Sequence, residues 1–580
     1  MIKDKKLSYL LPCLLIILSA LGCSDEQSAK TQEEAISHIP YLKKEGSSTQ
    51  LIVDGKPFLM MGGELHNSST AGFEYMRPLW KKMSDASFNT VIGAASWELV
   101  EPIEGVFNFD LVDSMILGAR EENLRLVIIW FASWKNGEST YVPSWVKKNQ
   151  ERFPLVIDEQ GNKRNILSTF GKESCSSDAK AFAALMGHIR DIDKDEHTVV
   201  MIQVQNEIGT LRTKRDFSDI ANSRFNEPVP DELISYLENN KSSIHPGVFK
   251  AWEKAGFRKN GNWEEVFGKG ELLENWKDLS YLTEELFMAW NYASYVGKIA
   301  FEGKAEYNLP MYVNAWLKQP GPSGHAPGNY PSGGPTPQVI DIWRAAAPAI
   351  DFIAPDIYIV DEFRYVCEQY TKSGNPLFIP ETFGDAAGAS RAFYVFGRFN
   401  TLCYAPFGVD GGDSWANVDD LTHLKDAYST LRQLTPLIIK YTGTENLSGL
   451  LADNNYRSDS VVIGGYKIKG TLGKRSGGSE LAGVDIFGKP ITIPESTNQA
   501  GGAIIVCTAP GEYYIAGRNM RINFYTEVPR KDSNVSFLLL EEGKFINGEW
   551  IPGRRLNGDE FNISLSTGKS MIYKASVYTY

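Results

Sequence analysis

From about residue 50 the chain alternates short, continuous apolar runs with segments whose apolar residues recur at helical spacing. The runs are 59–65 (LMMGGEL), 90–95 (TVIGAA), 125–131 (RLVIIWF), 199–204 (VVMIQV), 311–315 (MYVNA), 352–357 (FIAPDI), 377–380 (LFIP) and 403–407 (CYAPF). A run that is apolar at every position predicts a strand covered on both faces, as in a parallel sheet. Between the runs, Phe73, Met76, Leu79, Trp80 and Met83 share one helical face, as do Leu111, Met115 and Ala119, and then Phe182, Leu185, Met186 and Ile189. A long excursion over 211–310 carries Thr283, read as an N-cap ahead of Glu284 and Glu285, and then Leu286, Ala289, Ala293, Val296 and Ala300 on one face. Eight strand–helix units predict an α/β fold, a (β/α)8 TIM barrel with insertions. The alternative, an open doubly wound sheet, lacks a GxGxxG in its first unit.

After about residue 420 the texture changes to strand-like pieces separated by turn residues, among them SVVIGGYKI, GAIIVCTA and MIYKASVYTY. This spacing predicts an all-β domain, a β-sandwich smaller than the barrel. The expected division is 1–23 signal segment, 24–45 flexible tether, 46–418 barrel and 419–580 sandwich.

The amino terminus reads as an address. Lys3, Lys5 and Lys6 precede an apolar run from Leu7 to Leu21 that is short for a membrane span. The following Ala20-Leu21-Gly22-Cys23 resembles a bacterial lipobox, with Ala20 where the motif usually has Leu, and Ser24-Asp25-Glu26 resembles the export signal of Bacteroidota surface lipoproteins. The resemblance implies acylation of Cys23 and an exported lipoprotein at the outer membrane or cell surface, with the periplasm as the alternative. Membrane contact is then expected only through the lipid anchor at Cys23.

Charge and cysteine usage narrow the chemistry. A net charge of −12 disfavours nucleic acid as a partner and suits a neutral carbohydrate. The six cysteines are scattered without a CxxC pair, and the seven histidines form no HExxH, so no metal site is expected.

Barrel enzymes place their chemistry at the carboxyl ends of the strands. The fourth run continues into Gln205-Asn206-Glu207-Ile208-Gly209 and the seventh into Pro380-Glu381-Thr382-Phe383-Gly384. Strands four and seven face each other across a barrel, so two carboxyl groups can flank one bond, which is what glycoside cleavage needs. The alternative for either carboxylate is an ordinary strand-end ion pair.

IQVQNEIG and LFIPETFG resemble the acid/base and nucleophile strands of clan A glycosidases, especially glycoside hydrolase family 35, the β-galactosidases. GGELHNSS, NTVIGAASWELVEPIEGVFNFD and APDIY resemble the first-, second- and sixth-strand segments of the same family. The resemblance implies a retaining exo-β-galactosidase without metal or organic cofactor, and the departures from the family pattern at Glu98, Val100 and Ala94 point to plant-type oligo- or polysaccharides as its substrates. It makes Glu207 the acid/base, Glu381 the nucleophile, Asn206 a partner of the sugar 2-hydroxyl, and Tyr358 a residue that orients the nucleophile or touches the sugar. Glu98 and Val100 stand where the family usually has Asn and His, and Ala94 where it has a sugar-binding Tyr. Those departures bear on the sugar rather than on the catalytic pair. The rival activities are another clan A glycosidase, such as a β-glucosidase, arabinosidase or endo-glycanase, and a non-catalytic surface glycan-binding protein.

Further substrate contacts are expected from strand ends. Trp97 closes the second unit. Trp134, Lys135 and Asn136 end the third, offering a platform and hydroxyl partners, with loop packing as the alternative. Glu64 ends the first, either as a hydroxyl acceptor or as a buried structural carboxylate, and His66 follows as its neighbour. Trp316 ends the fifth, and the Gly/Pro-rich stretch 319–337 is expected to overhang the barrel mouth. Phe407, Asp410, Asp413 and Trp415 follow the eighth strand and are expected to close the site.

Overall fold

The computed structural model describes residues 39–277, 281–321, 324–412, 418, 420–473, 499–528 and 533–580. The expectations for the signal segment, Cys23 and most of the tether, and those for Asp413 and Trp415, lie outside the described residues. Among the described residues no helix is long and apolar enough to cross a membrane.

Eight parallel strands form the barrel: β1 (Met60–Glu64), β2 (Thr90–Ser96), β3 (Arg125–Lys135), β4 (Val199–Asn206), β5 (Met311–Trp316), β6 (Phe352–Ile357), β7 in two pieces (Phe378–Ile379 and Glu381–Thr382) and β8 (Cys403–Tyr404). Pro380, which has no N–H to give to a ladder, splits β7. Its first piece pairs with β8 and its second with β6, while β8 pairs with β1, so the sheet closes. All eight predicted strands are thus present, and their period of two explains the continuous apolarity. Ile92, Val127, Ile129, Val200, Tyr312 and Phe378 fill the barrel interior. Their neighbours Val91, Leu126 and Ile128 face the surrounding helices.

Those helices are α1 (Phe73–Asp85), α2 (Asp110–Glu121), α3 (Lys172–Asp193), α4 (Thr283–Glu306), α5 (Ile340–Ala346), α6 (Phe363–Thr371), α7 (Ala386–Arg398) and α8 (Thr422–Tyr441). Thr283 is the first residue of α4 rather than its N-cap; Leu282 takes the cap position, and the Thr283 hydroxyl instead donates to the Gly268 carbonyl. The predicted apolar face of α4 is buried throughout. An antiparallel three-stranded sheet (Tyr41–Glu45, Ser48–Val53, Lys56–Phe58) adds Leu51 and Val53 to the barrel core. Asp54 ties it to the amino end of β3 through Arg125 and to the loop before β4 through His197, both at 2.7 Å.

The sandwich begins later than the texture of the sequence implies. α8 runs through 422–441 with Leu424, Ala427, Tyr428, Leu431 and Leu434 buried, and the Tyr428 hydroxyl donates to the carbonyls of Gly62 and Tyr404 in β1 and β8. That helix therefore belongs to the barrel, and the first sandwich strand is Leu447–Asp453. A six-stranded and a four-stranded antiparallel sheet follow. The six-stranded sheet packs against α7 at very close range: a Cβ at Gly449 or Gly502 would strike the backbone carbonyls of Tyr394 or Ser390.

Candidate active site

The cavity at the carboxyl ends of the strands has a volume of about 590 Å³ and is lined by Glu207, Glu381, Asp356, Tyr358, Lys135 and Trp316, among others. Glu207 and Glu381, adjacent neither in sequence nor in the sheet, meet here. Each offers a carboxylate oxygen, and with one from Asp356 these lie within 4.8 Å of one another. The same three groups are close enough to share a cation. A buried ammonium already stands beside them: Lys135 is in register with Asn206, and its Nζ donates to Asn206 Oδ1 at 2.9 Å.

The backbone around the acid/base candidate is held in an uncommon conformation. Gln205 and Glu207 both have positive φ, +64° and +46°, on either side of Asn206. Such backbone costs of order 1–3 kcal/mol per residue and persists only where the surroundings over-determine it. Here they do. The Gln205 amide accepts from the Trp134 N–H at 3.0 Å and donates to Asp178 at 2.8 Å. The Glu207 N–H donates to Asn314 Oδ1 at 2.9 Å, and its carbonyl accepts from Gly137 at 3.1 Å. Three residues further on, Thr210 exchanges backbone hydrogen bonds with Ser332, both at 3.0 Å, which anchors the Gly/Pro-rich stretch across the mouth.

Electrostatics separate the two glutamates. Burial, reinforced by the charge of Glu381, pushes Glu207 up to about 8. Glu381 instead receives donors: Tyr358 Oη at 2.9 Å on Oε2 and Asn206 Nδ2 at 3.3 Å on Oε1. Burial and the negative charge of Glu381 hold the Tyr358 hydroxyl far above its usual range, so it remains a donor. Burial opposes the charge on Lys135, but Glu381, Glu207, Glu64 and Asp356 outweigh it and raise its affinity for the proton. Asp356 and Glu64 are both driven well above the carboxylate range, by burial first and then by Glu381. Asp356 Oδ2 accepts from Asn314 at 2.8 Å, whereas both oxygens of Glu64 have no hydrogen-bond partner among the described residues. Asp356 was not singled out from the sequence. Its signal was a carboxylate inside an otherwise apolar strand, one residue from the strand's end.

Other expected contacts fall into two groups. Asn136 and Trp316 line the cavity, as do His66 and Phe407. His66 Nδ1 pairs with Asp410 at 2.9 Å and its ring stands edge-on to Phe407 at 5.0 Å. Trp97 and Trp134 do not take part. Both rings are fully buried among core residues, Trp97 Nε1 donating to Glu101 at 2.8 Å and Trp134 Nε1 to the Leu167 carbonyl at 3.1 Å. Their faces are therefore closed to a sugar, and their role is packing. Glu98 turns to Lys147, 3.1 Å away, on the surface.

Comparison with known proteins agrees with the class that this site defines. Residues 74–296 match the family model described as beta-galactosidase, glycoside hydrolase family 42, and residues 424–566 match one described as a domain of unknown function (DUF5597). The first match is of the family 42 type rather than the family 35 type that the strand motifs resemble; both readings agree on a clan A, β-galactosidase-like glycoside hydrolase domain. A rat (Rattus norvegicus) relative named beta-galactosidase-1-like protein 3 is 24% identical over 271 residues, 45% of this chain and 39% of that protein. The chain thus matches well under two thirds of that relative's length. Among solved structures, a β-galactosidase from Bacillus circulans sp. alkalophilus has a TM-score of 0.49 at 11% identity, over 89% of this chain and 99% of that one. The catalytic domain of a β-amylase from Paenibacillus polymyxa has a TM-score of 0.44 at 11% identity, covering 63% and 96%.

Proposed function

We propose that the protein is a retaining, exo-acting glycoside hydrolase that removes terminal β-galactose from plant-type oligo- or polysaccharides. One observation carries the reading: two buried glutamates share a cavity, one pushed up toward neutrality and the other supplied with hydrogen-bond donors. Glu207, protonated near neutral pH, gives its proton to the departing oxygen. Glu381, as carboxylate, attacks the anomeric carbon and forms a glycosyl-enzyme. Water, deprotonated by Glu207, then releases the sugar. Carboxylate oxygens within 4.8 Å of one another support double displacement, because an inverting pair must leave room for a water between carboxyl groups about 6.5–9.5 Å apart.

Tyr358 and Asn206 orient Glu381, and Asn206 is positioned for the sugar 2-hydroxyl. Glu64 and Asp356 supply acceptors or, when protonated, donors to the remaining hydroxyls, and Trp316 and Asn136 border the substrate. The galactose assignment and the kinship with family 35 rest on strand motifs and on the names of relatives. An export role with lipidation at Cys23 remains part of the proposal on the sequence pattern alone. Turnover of a panel of aryl β-glycosides by the native protein and by Glu207→Gln and Glu381→Gln tests the reading. Preference for the β-galactoside, with loss of activity in both variants, is expected. Near-full activity in both variants refutes the assignment, and glycan binding without turnover favours a binding protein.

A further inference from the structure

A second cavity, of about 360 Å³, opens over the end of β2 beside the catalytic one, and Asn67 and Ser68 line both. Its volume is that of a small-molecule site. Its lining mixes exposed apolar side chains, Phe73 and Leu99 at 46% and 41% exposure, with the hydrogen-bonding groups of Asn108 and Tyr141 and the carboxylates of Glu98 and Asp110. Asn67, which borders both cavities, has its Oδ1 buried with no partner among the described residues. An apolar face next to amide, phenol and carboxylate groups fits the carbon and hydroxyl surfaces of a sugar ring better than it fits an anion or a wholly apolar ligand.

The position of this cavity decides which sugar it takes. The departing oxygen must lie beside the acid, Glu207, which follows β4, and Trp316 and Leu317 continue that side from β5. His66, Asn67 and Ser68 follow β1 and line the side of the cavity away from it. A group that leaves the catalytic cavity past Asn67 and Ser68 is therefore attached to the sugar that is retained on the enzyme, not to the one that departs. Resting on the glycosidase reading above, we propose that the cavity over β2 is a subsite for a second sugar carried by the retained galactose. The preferred substrate is then a β-galactoside whose galactose is not terminal but carries a further sugar, released with it as a disaccharide.

The test uses the full chain, a plain aryl β-galactoside, and derivatives carrying a second sugar at O2, O3, O4 or O6 of the galactose. At least one derivative is expected to yield the free aryl group and an intact disaccharide, with kcat/KM about tenfold above the plain substrate, since remote binding energy is realised in turnover. Phe73→Ala, which removes the exposed ring, and Leu99→Trp, which fills the mouth, are each expected to remove about tenfold for that derivative while leaving the plain substrate within about twofold. The proposal is overturned if no derivative is cleaved better than the plain substrate, if galactose is split from the added sugar first, or if both variants affect the two substrates alike. Failure of the native protein on the plain aryl galactoside and on every derivative strikes the glycosidase reading instead. In that case calorimetric binding of the free disaccharides to Glu381→Gln still decides the subsite, with weakened binding in Phe73→Ala expected and unchanged binding contradicting it.

Discussion

Tyr358 donates its hydroxyl to Oε2 of Glu381 at 2.9 Å, across the register in which Asp356 of β6 lies beside Glu381 of β7. A hydrogen bond to a charged group contributes about 1.5–3 kcal/mol, so Tyr358→Phe is expected to lower kcat roughly 10–100-fold with little change in KM. Steady-state kinetics on an aryl β-galactoside check this. A rise in KM at constant kcat would place Tyr358 in sugar binding rather than in orienting the nucleophile.

Glu207 as acid predicts a pH profile. The group titrates near 8, so the protonated form holds below that pH and kcat/KM falls on the alkaline side around it. Glu207→Gln is expected to abolish that alkaline limb. It also costs most with substrates whose leaving group needs a proton and least with activated aryl groups. An unchanged alkaline limb in the variant assigns it to another residue.

The same shift carries a cost in stability. The value in the folded protein, about 8, exceeds the ordinary 4.5, so the folded chain holds this proton more tightly than the unfolded chain. The contribution is fully present below the ordinary value and is lost as pH rises through 8. Glu207→Gln removes the buried negative charge and should raise Tm at pH 9 relative to the native protein, and much less so at pH 4. Thermal unfolding at the two pH values measures the difference.

Asn314 ties the two halves of the site together, accepting from the Glu207 N–H at 2.9 Å and donating to Asp356 at 2.8 Å. Asn314→Ala frees the positive-φ backbone at Glu207, and a fall in kcat of about tenfold or more is expected from misplacement alone. If the residue acts by positioning, Asn314→Asp, which keeps the acceptor, should recover part of that loss. Equal loss in both variants argues for a different role.

The contact of the sandwich with α7 is tight enough to test. Gly502→Ala would press a methyl group into the Ser390 carbonyl, and overpacking of this kind costs about 1–3 kcal/mol. A lower Tm with one cooperative transition is expected if the two domains unfold together. Two separated transitions would show that the sandwich folds independently of the barrel.

These relationships differ in how visible they are along the chain. The strands were legible because a barrel covers both faces of each one, which leaves continuous apolar runs such as RLVIIWF. Glu207 and Glu381 were legible because each follows such a run. Asp356 was not, because it sits inside its run and its meaning comes from neighbours on β4 and β7. Trp97 and Trp134 misled because an aromatic residue at a strand end reads alike whether its face is open or packed. Only the third dimension shows Trp134 enclosed with Tyr292 and Tyr295 at 4.9 and 4.5 Å. α8 was overlooked because Pro436 and the strand-rich sequence beyond it obscure an amphipathic helix that belongs to the barrel. The strained Gln205–Glu207 segment leaves no local trace, since its restraints come from Asp178, Trp134 and Asn314.

The central claim is a covalent intermediate on Glu381, and mass spectrometry after incubation with a 2-deoxy-2-fluoro-β-galactoside bearing an activated leaving group tests it most directly. The account predicts that the intact protein gains one fluorosugar, that peptide mapping places it on Glu381, and that Glu381→Gln gains none. A label on a different residue, or full turnover of the reagent with no label at any time, would contradict it.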